Sequence, residues 1–336
     1  MKKNLKKDID FVILWVNCND LEWQKKRKKY NVSEESDNSI IRYQDWENLK
    51  YWFRSVEKNA PWVRKIHLVT DGQIPDWLDV SCQKINLVKH LDYMPKDALP
   101  TFNSNAIEIG MHRIKDLSDR FVYFNDDMFL TSEVTEEYYF KNGIPVDMPG
   151  YIRTPKKIKG NIFSALLENN NKIIYKNFTK KEVIWNNFFK WFKPLYGKNF
   201  FRSICYIFKE STPGFVIPHL STPYLKFDFE KVWKKEETIL KMTQYNRFRS
   251  VTDVTHFLFR NWRMAEGKFI SRRSKGKYFG ISNEVTAKTV AKSILKKQYP
   301  EICINESCSG EEFEKVKQII NEALKMTYPE KSIFEK

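Results

Sequence analysis

No apolar run in this 336-residue chain approaches the roughly 20 residues that a membrane-spanning helix needs. The apolar run near the start, Phe11–Val16, is too short for the hydrophobic region of a signal peptide and is bracketed by Asp10 and Asn17. The five cysteines are scattered and form no CxxC pair or Cys/His cluster, which favours reduced thiols over a zinc site. These absences predict a cytoplasmic protein and leave open a peripheral position on the inner face of the cell membrane.

Three motifs of nucleotide and ester chemistry are also missing. The sequence contains no GxxxxGK[ST], no GxGxxG and no GxSxG. P-loop NTPases, standard dinucleotide enzymes and α/β-hydrolases are therefore poor matches. Nucleic-acid binding needs a recognisable module or a dense basic face, whereas the basic residues here are dispersed, so we expect no nucleic-acid partner.

Acidic residues are fewer than basic ones, with 42 Asp and Glu against 58 Lys and Arg, which gives a formal charge of +16. This excess favours a polyanionic partner, namely nucleic acid, an anionic membrane face or a phosphorylated substrate, and by itself does not choose among them. Hydrophobic residues make up 42% of the chain and aromatic residues 15%, so the chain folds around a large core.

Short apolar runs at 9–16, 65–70, 85–89 and 121–124 predict buried β-strands. The stretches Leu21–Tyr30, Arg42–Lys58 and Asn103–Leu117 between them predict helices, and the polar residues 31–41 predict a loop. Strands that alternate with helices predict an α/β protein with a mostly parallel, doubly wound, Rossmann-like sheet.

Each predicted strand is followed by polar residues. They are Asn17, Asp71, His90 and the triplet Asn125–Asp127. In open α/β sheets, ligands bind outside the carboxyl ends of the strands, so we expect the active site at this edge.

The stretch RFVYFNDDMFL over 120–130 places two adjacent carboxylates, Asp126 and Asp127, between apolar runs. The two charges repel each other and lose hydration, which favours a compensating divalent cation with oxygen ligands. The alternative is a turn whose Asn and Asp side chains bond to the backbone. Four polar strand ends at one edge favour the binding site over the turn.

The composition changes between about 155 and 215. Residues 176–209 hold eight Lys or Arg, one acid and eleven aromatic residues. If this segment is helical, its composition suits a protein core, a surface on which sugars stack, or contact with an anionic membrane. We expect a basic, aromatic helical insertion over 151–215, between an α/β part over 1–150 and a remaining part over 216–336.

Further polar residues outside the strands can carry chemistry. Glu108 shares a helix face with His112, although such pairs are often simple surface pairs. His219 follows a proline in a loop, where a histidine serves as a general base or as a structural residue. Arg249 can clamp a phosphate, and the basic loop Arg272–Lys277 can hold phosphate or be merely solvated.

Several stretches together resemble the Stealth family of sugar-phosphate transferases, which includes bacterial capsular polysaccharide phosphotransferases and the enzyme that starts the mannose 6-phosphate tag. IDFVILWVNCNDLEW resembles the first family region. RYQDWENLKYWFRSVEKNAPWVRKIHLVTDGQIPDWL, TFNSNAIEIGMHRI and FVYFNDDMFL resemble the second. PHLSTPYLK with the Arg249 segment resembles the third region, and EICINESCSGEEFEKVKQII the fourth.

The resemblance implies a GT-A-like fold and transfer of a hexose 1-phosphate from a UDP-hexose, such as a UDP-N-acetylhexosamine, to a hydroxyl of an anionic polysaccharide or oligosaccharide acceptor. UMP leaves, and the product belongs to capsular or other cell-surface polysaccharide synthesis. The catalytic residues of the family fall on Glu108, Asp127, His219 and Arg249.

The same resemblance suggests how the ligands are held. Asp127, with Asp126 or Asn125, would hold Mg²⁺ or Mn²⁺ against the diphosphate. The residues assigned to substrate binding are Asn17, Asp20, Asp71, Asn125, Arg272 and Lys275. A contact with membrane or capsule machinery is left open.

Two other functions remain as alternatives. Paired acids after a strand also suit a metal-dependent GT-A glycosyltransferase. Such an enzyme would release UDP rather than UMP. A basic nucleic-acid or membrane adaptor without catalysis would tolerate the change Asp127→Asn.

Overall fold

The computed structural model describes residues 8–30, 45–153, 156–159, 161–185, 187–209 and 211–336. Within these ranges the strands are β1 Ile9–Leu14, β2 Ile66–Thr70, β3 Ile85–Lys89, β4 Arg120–Phe124, β5 Met128–Leu130, β6 Phe140–Lys141, β7 Ile144–Asp147, β8 Tyr151–Ile152, β9 Gly214–Phe215, β10 Thr222–Leu225, β11 Ile270–Ser271, β12 Lys277–Ile281 and β13 Glu301–Glu306. The helices are α1 Leu21–Tyr30, α2 Leu49–Asn59, α3 Ser104–Glu108, α4 Ile162–Asn177, α5 Lys180–Trp185, α6 Phe188–Trp191, α7 Lys198–Ile207, α8 Lys226–Lys235, α9 Glu237–Tyr245, α10 Phe257–Ala265, α11 Glu284–Leu295 and α12 Gly310–Thr327.

A five-stranded sheet with the order β10-β4-β1-β2-β3 forms the centre of the fold. Strands β4, β1, β2 and β3 run parallel, and β10 closes the β4 edge in the antiparallel direction. Their carboxyl ends therefore meet at one edge, and the predicted mostly parallel α/β sheet is confirmed. Pro223 is tolerated within β10 because an edge strand needs to donate on one side only.

The sheet is buried on both faces, which explains why its strands read as continuous apolar runs. Phe11 of β1 and Phe124 of β4 point into a core shared with α2, α11 and α12. Val12 and Phe121 point into a second core shared with α4, α8 and α10. Helices therefore cover both faces, as the doubly wound prediction requires.

A second sheet, with the order β12-β13-β5, connects the end of the chain to the residues after β4. β13 pairs with β12 in parallel and with β5 in antiparallel register, so Cys303 lies opposite Met128. The backbone N–H of Ile304 donates to Asp127 O at 2.8 Å. The last strand of the chain thus holds the acidic triplet in place.

The long helix predicted over Asn103–Leu117 is wrong. Helix α3 ends at Glu108, and a single 3-10 turn, Met111–Arg113, follows Gly110. A Cβ at Gly110 would lie 3.2 Å from Tyr93 Cε2, so the chain needs glycine where it changes direction. Similarly, α2 begins at Leu49 rather than at Arg42; the predicted loop over 31–41 and Arg42 itself lie outside the described residues.

The segment expected as a helical insertion forms α4 to α7. Its inner face belongs to a core, because Ile174, Val183 and Trp191 are buried. Trp191 stacks on Tyr151 of β8 with ring centroids 4.3 Å apart. No described helix combines the length and apolarity needed to cross a membrane. The boundaries at 150 and 215 remain predictions.

Candidate active site

The acidic triplet forms the turn between β4 and β5, where Met128 N–H donates to Asn125 O at 3.2 Å. The turn alternative is therefore correct for the backbone. The turn nevertheless leaves a carboxylate oxygen able to bind a ligand. Asp127 Oδ2 accepts from Cys303 Sγ at 3.3 Å, whereas the buried Asp127 Oδ1 has no hydrogen-bond partner. Asp126 is exposed beside it.

The electrostatics of the triplet favour a cation. Loss of hydration raises the pKa of Asp127 to about 7, and Glu306 adds repulsion. Although Asp126 is exposed at the turn, loss of hydration at its carboxyl and repulsion from Asp127 and Asp45 also raise its pKa. Within the described ranges, no group of three or more His, Cys, Asp or Glu is arranged to hold a metal ion. Asp126 and Asp127 would thus supply only part of the coordination shell of a metal ion, and oxygens of the substrate or of water would have to complete it.

A buried hydrogen-bond chain connects Glu108 to the triplet. Tyr123 OH lies 3.1 Å from Glu108 Oε1 and 2.6 Å from Asn125 Oδ1. Glu108 is 6% exposed, and burial raises the pKa of its carboxyl. His256 Nε2 lies 4.0 Å from Glu108 Oε2. A carboxylate from α3 and the polar residues after β4 thus meet at one place.

Arg249 reaches the same carboxylate from the loop before α10. Its guanidinium donates to Ser104 Oγ at 2.7 Å, and its charge lowers the pKa of Glu108 against the effect of burial. The start of α3 is fixed to this loop by Asn103, whose side chain caps α3 and donates to Phe248 O at 3.3 Å. The loop and the helix are therefore positioned together.

His219 occupies the loop between β9 and β10 in a strained conformation, with φ of +50°. Non-glycine residues seldom adopt the left-handed region, and those that do often cluster at functional sites. Its ring lies 5.3 Å from the Tyr278 ring and 5.8 Å from the Phe163 ring. Burial lowers the pKa of His219, which keeps the imidazole neutral near pH 7. His219 lies three residues before Thr222, which pairs with Tyr123, so the loop ends near the carboxyl end of β4.

Two buried arginines of α10 hold the chain on either side of His219. Arg260 Nη1 donates to Val216 O at 2.9 Å, and Arg263 Nη1 donates to Pro223 O at 3.0 Å. Asp147 of β7 lies 2.6 Å from Arg260 and 3.3 Å from Arg263. Asp147 therefore compensates Arg260 and shares Arg263 with Asp228, whose Oδ2 also lies 3.3 Å from the Arg263 guanidinium.

The predicted nucleotide-pocket residues of β1 and β2 lie at the expected edge but have local structural partners. Asn17 N–H donates to Gln73 Oε1 at 2.9 Å, and Gln73 Nε2 donates to Asp20 Oδ2 at 3.1 Å. Asp20 also accepts from the first backbone N–H groups of α1. Asp71 pairs with Lys26 at 2.5 Å. The described contacts do not join this group to Asp127.

The basic loop before β12 lies over a cleft beside the histidine loop. The Arg272 guanidinium is held by the backbone, since it donates to Glu137 O at 3.0 Å and to Tyr138 O. Arg273 and Lys275 are exposed at the cleft, and Glu301 is buried in its wall. Of the two residues predicted to bind substrate here, Lys275 is the one free to meet a ligand.

The sequence interpretation missed several residues of this site. Tyr123, His256 and the Asp147 network were not predicted to contribute. Tyr123 had a usable signal: it lies two residues before Asn125 in a strand, and residues two apart point to the same face. No comparable signal in the sequence marks Asp147, Arg260 and Arg263, because their partners come from distant parts of the chain.

Comparison with known proteins agrees with the sequence resemblance. The family model for Stealth protein CR2, conserved region 2, matches residues 42–146, and that for Stealth protein CR1, conserved region 1, matches residues 7–31. A capsular polysaccharide phosphotransferase, WcwK of Streptococcus pneumoniae, is 41% identical over 339 residues, covering 99% of each chain. The receptor polysaccharide phosphotransferase WefC of Streptococcus gordonii is 38% identical, covering 97% of this chain and 98% of its own. The exopolysaccharide phosphotransferase cps2G of Lactiplantibacillus plantarum is 36% identical, covering 98% and 96%.

Proposed function

Because this chain belongs to the Stealth family of polysaccharide phosphotransferases, we propose that it transfers a hexose 1-phosphate from a UDP-hexose to a hydroxyl of an acceptor glycan. A UDP-N-acetylhexosamine is the first donor to test, and the product would be capsular or another cell-surface polysaccharide. The observation that carries the proposal is the hydrogen-bond chain from Glu108 through Tyr123 to Asn125, beyond the end of β4, with the charge of Arg249 acting on Glu108. His219 lies three residues before Thr222, which pairs with Tyr123.

The proposed reaction is a displacement at the phosphorus nearest the sugar. The acceptor oxygen forms a new P–O bond, the bond from that phosphorus to the bridging oxygen breaks, and UMP leaves with the bridging oxygen. The bond between sugar C1 and its oxygen stays intact, so the anomeric configuration is retained. Such a transfer needs positioning and charge stabilisation more than covalent help from the protein.

His219 is the proposed general base. Its lowered pKa keeps the imidazole neutral near pH 7, so it can take the acceptor proton as the new P–O bond forms. The Asp147 network would act on this step indirectly, because it fixes the backbone on both sides of the histidine.

Arg249 is the proposed partner of the transferred phosphoryl group. A guanidinium presents several N–H donors to phosphate oxygens and stays charged at every relevant pH. Glu108 and Ser104 would hold this side chain in place, while Tyr123 connects Glu108 to the metal-binding end of β4.

Asp126 and Asp127 fit a divalent metal. Asp127 Oδ1 is buried without a partner, and the pKa of both carboxyls is raised, as expected where negative groups lack a compensating cation. A bound Mg²⁺ or Mn²⁺ would neutralise charge on the donor diphosphate. Asn17, Asp20 and Asp71 would then shape the uridine side, and Lys275 would meet an anionic acceptor in the cleft.

The test is the identity of the released nucleotide. The full chain would be incubated with a panel of UDP-hexoses, Mg²⁺ and an oligosaccharide primer, and the products read by mass spectrometry. We expect UMP together with a primer that has gained a hexose phosphate. Release of UDP with gain of a hexose alone would refute the proposal and identify a glycosyltransferase. Nucleotide release that persists in Asp127→Asn would refute the role of the triplet.

A further inference from the structure

The insertion helices expose a group of large aromatic side chains. Trp185, Phe189, Phe201 and Phe208 are 54%, 84%, 70% and 83% exposed; we call these four residues the aromatic surface. Among the Phe and Trp side chains that the structure describes, Phe227 is the only other one more than half exposed. A concentration of exposed aromatic residues of this kind is typical of an interaction site.

Helix α7 is fixed with one face outward. Ser203 and Tyr206 are buried, and Ser203 Oγ accepts from Tyr151 N–H at 2.9 Å. Phe201 and Phe208 are seven residues apart, so both point away from this anchored face. The exposure therefore follows from the docking of the helix rather than from a loosely packed end.

The surroundings of the aromatic surface are strongly basic. Residues 178–209 carry seven Lys or Arg and a single acid, Glu182. Lys198 and Arg202 flank Phe201, and neither forms an ion pair with a described residue. Helices α5 and α7 adjoin, since Lys180 Nζ lies 3.4 Å from Ile207 O.

We propose that the aromatic surface rests on an anionic lipid bilayer. Aromatic rings favour the headgroup level of a bilayer, and neighbouring Lys and Arg side chains are attracted to anionic lipids. A second copy of the chain is a poorer occupant, because symmetric pairing of this face would oppose unpaired cations. The proposal is independent of the chemistry proposed above.

Co-sedimentation of the full chain with vesicles tests this contact. We expect binding to vesicles of phosphatidylcholine with phosphatidylglycerol, weaker binding to phosphatidylcholine alone, and loss of binding as salt rises. The double change Phe201→Ser and Phe208→Ser should lower the partition coefficient at least about tenfold. The matched control is Phe227→Ser, which removes an exposed phenylalanine of α8 and should leave binding unchanged.

Charge changes provide a second arm that does not alter the core. Lys198→Glu with Arg202→Glu should weaken binding by about fivefold or more for each position. Lys234→Glu with Lys235→Glu makes the same charge change on α8 and should have a clearly smaller effect. All four of these charged side chains are exposed, so the melting temperatures should match that of the unchanged protein.

Three results would overturn the proposal. The first is failure of the protein to bind the anionic vesicles at low salt. The second is an equal loss of vesicle binding in the α7 variants and in their α8 controls. The third is a dimer, detected by light scattering, that dissociates only in the Phe201/Phe208 variant. UMP release from soluble substrates should be unaffected in every variant, so failure of the membrane contact and failure of the proposed chemistry are separable.

Discussion

Replacement of Glu301 by Gln should flatten the dependence of stability on pH. Glu301 is 1% exposed and accepts from Ser221 N–H at 2.6 Å, with Tyr138 OH at 3.3 Å. Burial raises the pKa of its carboxyl to about 7 from an ordinary 4.5. Tyr138 and Tyr139 also face it, but burial holds the pKa of both tyrosines well above neutrality, and Arg272 stays charged. Glu301 is therefore the group in this cluster that titrates near neutral pH.

The sign and size follow from proton linkage. Between about pH 4.5 and 7 the folded protein holds a proton on Glu301 that the unfolded chain has lost, so the free energy of unfolding falls as pH rises. The full shift corresponds to about 3 kcal/mol. The amide of Gln has nearly the same shape and no charge, so Glu301→Gln removes this loss. The amide of Gln carries two N–H donors where the protonated carboxyl has one O–H, and the extra buried donor offsets about 1 kcal/mol of the gain.

Urea unfolding at several pH values measures the effect. The variant should be more stable than the unchanged protein by about 2 kcal/mol at about pH 8, and the difference should shrink toward about pH 5. Other titrating groups contribute equally to both proteins and cancel in the difference. Parallel stability curves for the two proteins across this range would refute the argument.

The remaining predictions concern the histidine loop and its supports. Asp147→Asn leaves the buried Arg260 without its carboxylate, while Arg263 keeps Asp228, and should cost about 3–5 kcal/mol in urea unfolding; a loss below about 1 kcal/mol would contradict the buried network. His219→Asn, which tolerates the positive φ, should lower kcat for UMP release by about 10²–10⁴-fold while KM for the donor changes little; an unchanged kcat would exclude His219 as the base. Tyr123→Phe should reduce stability by about 1–2 kcal/mol and lower kcat, because Glu108 and Asn125 lose their shared partner; intact kcat would limit Tyr123 to a structural role.

The sequence was most informative where local composition decides the structure. Strands β1, β2 and β4 are mainly apolar, and burial on both faces is what such runs require. The polar ends of these strands then located the edge of the sheet. The acidic triplet was predictable for the same reason, since adjacent carboxylates after a buried strand are hard to explain by packing alone.

Features set by distant contacts were not predictable. The helix predicted through Gly110 ends at Glu108, and Gly110 lies close to the Tyr93 ring, a contact that the local sequence does not reveal. The side chains of Arg260 and Arg263 are buried among apolar residues of α10, a position that charge alone would assign to solvent. Their environment depends on Asp147, more than a hundred residues earlier. Contacts that span such distances leave no periodic signal in a single sequence.

Helix α4 has a consequence for the reach of the enzyme. Its first turn places Phe163 against His219, and its far end, Asn177, lies three residues before Lys180, which adjoins the carboxyl end of α7. Sixteen helical residues span about 24 Å. With the proposed bilayer contact, α4 would separate His219 from the lipid-contacting end of α7 by at most about that length. An acceptor anchored in the same bilayer would have to span this separation before His219 could take its proton.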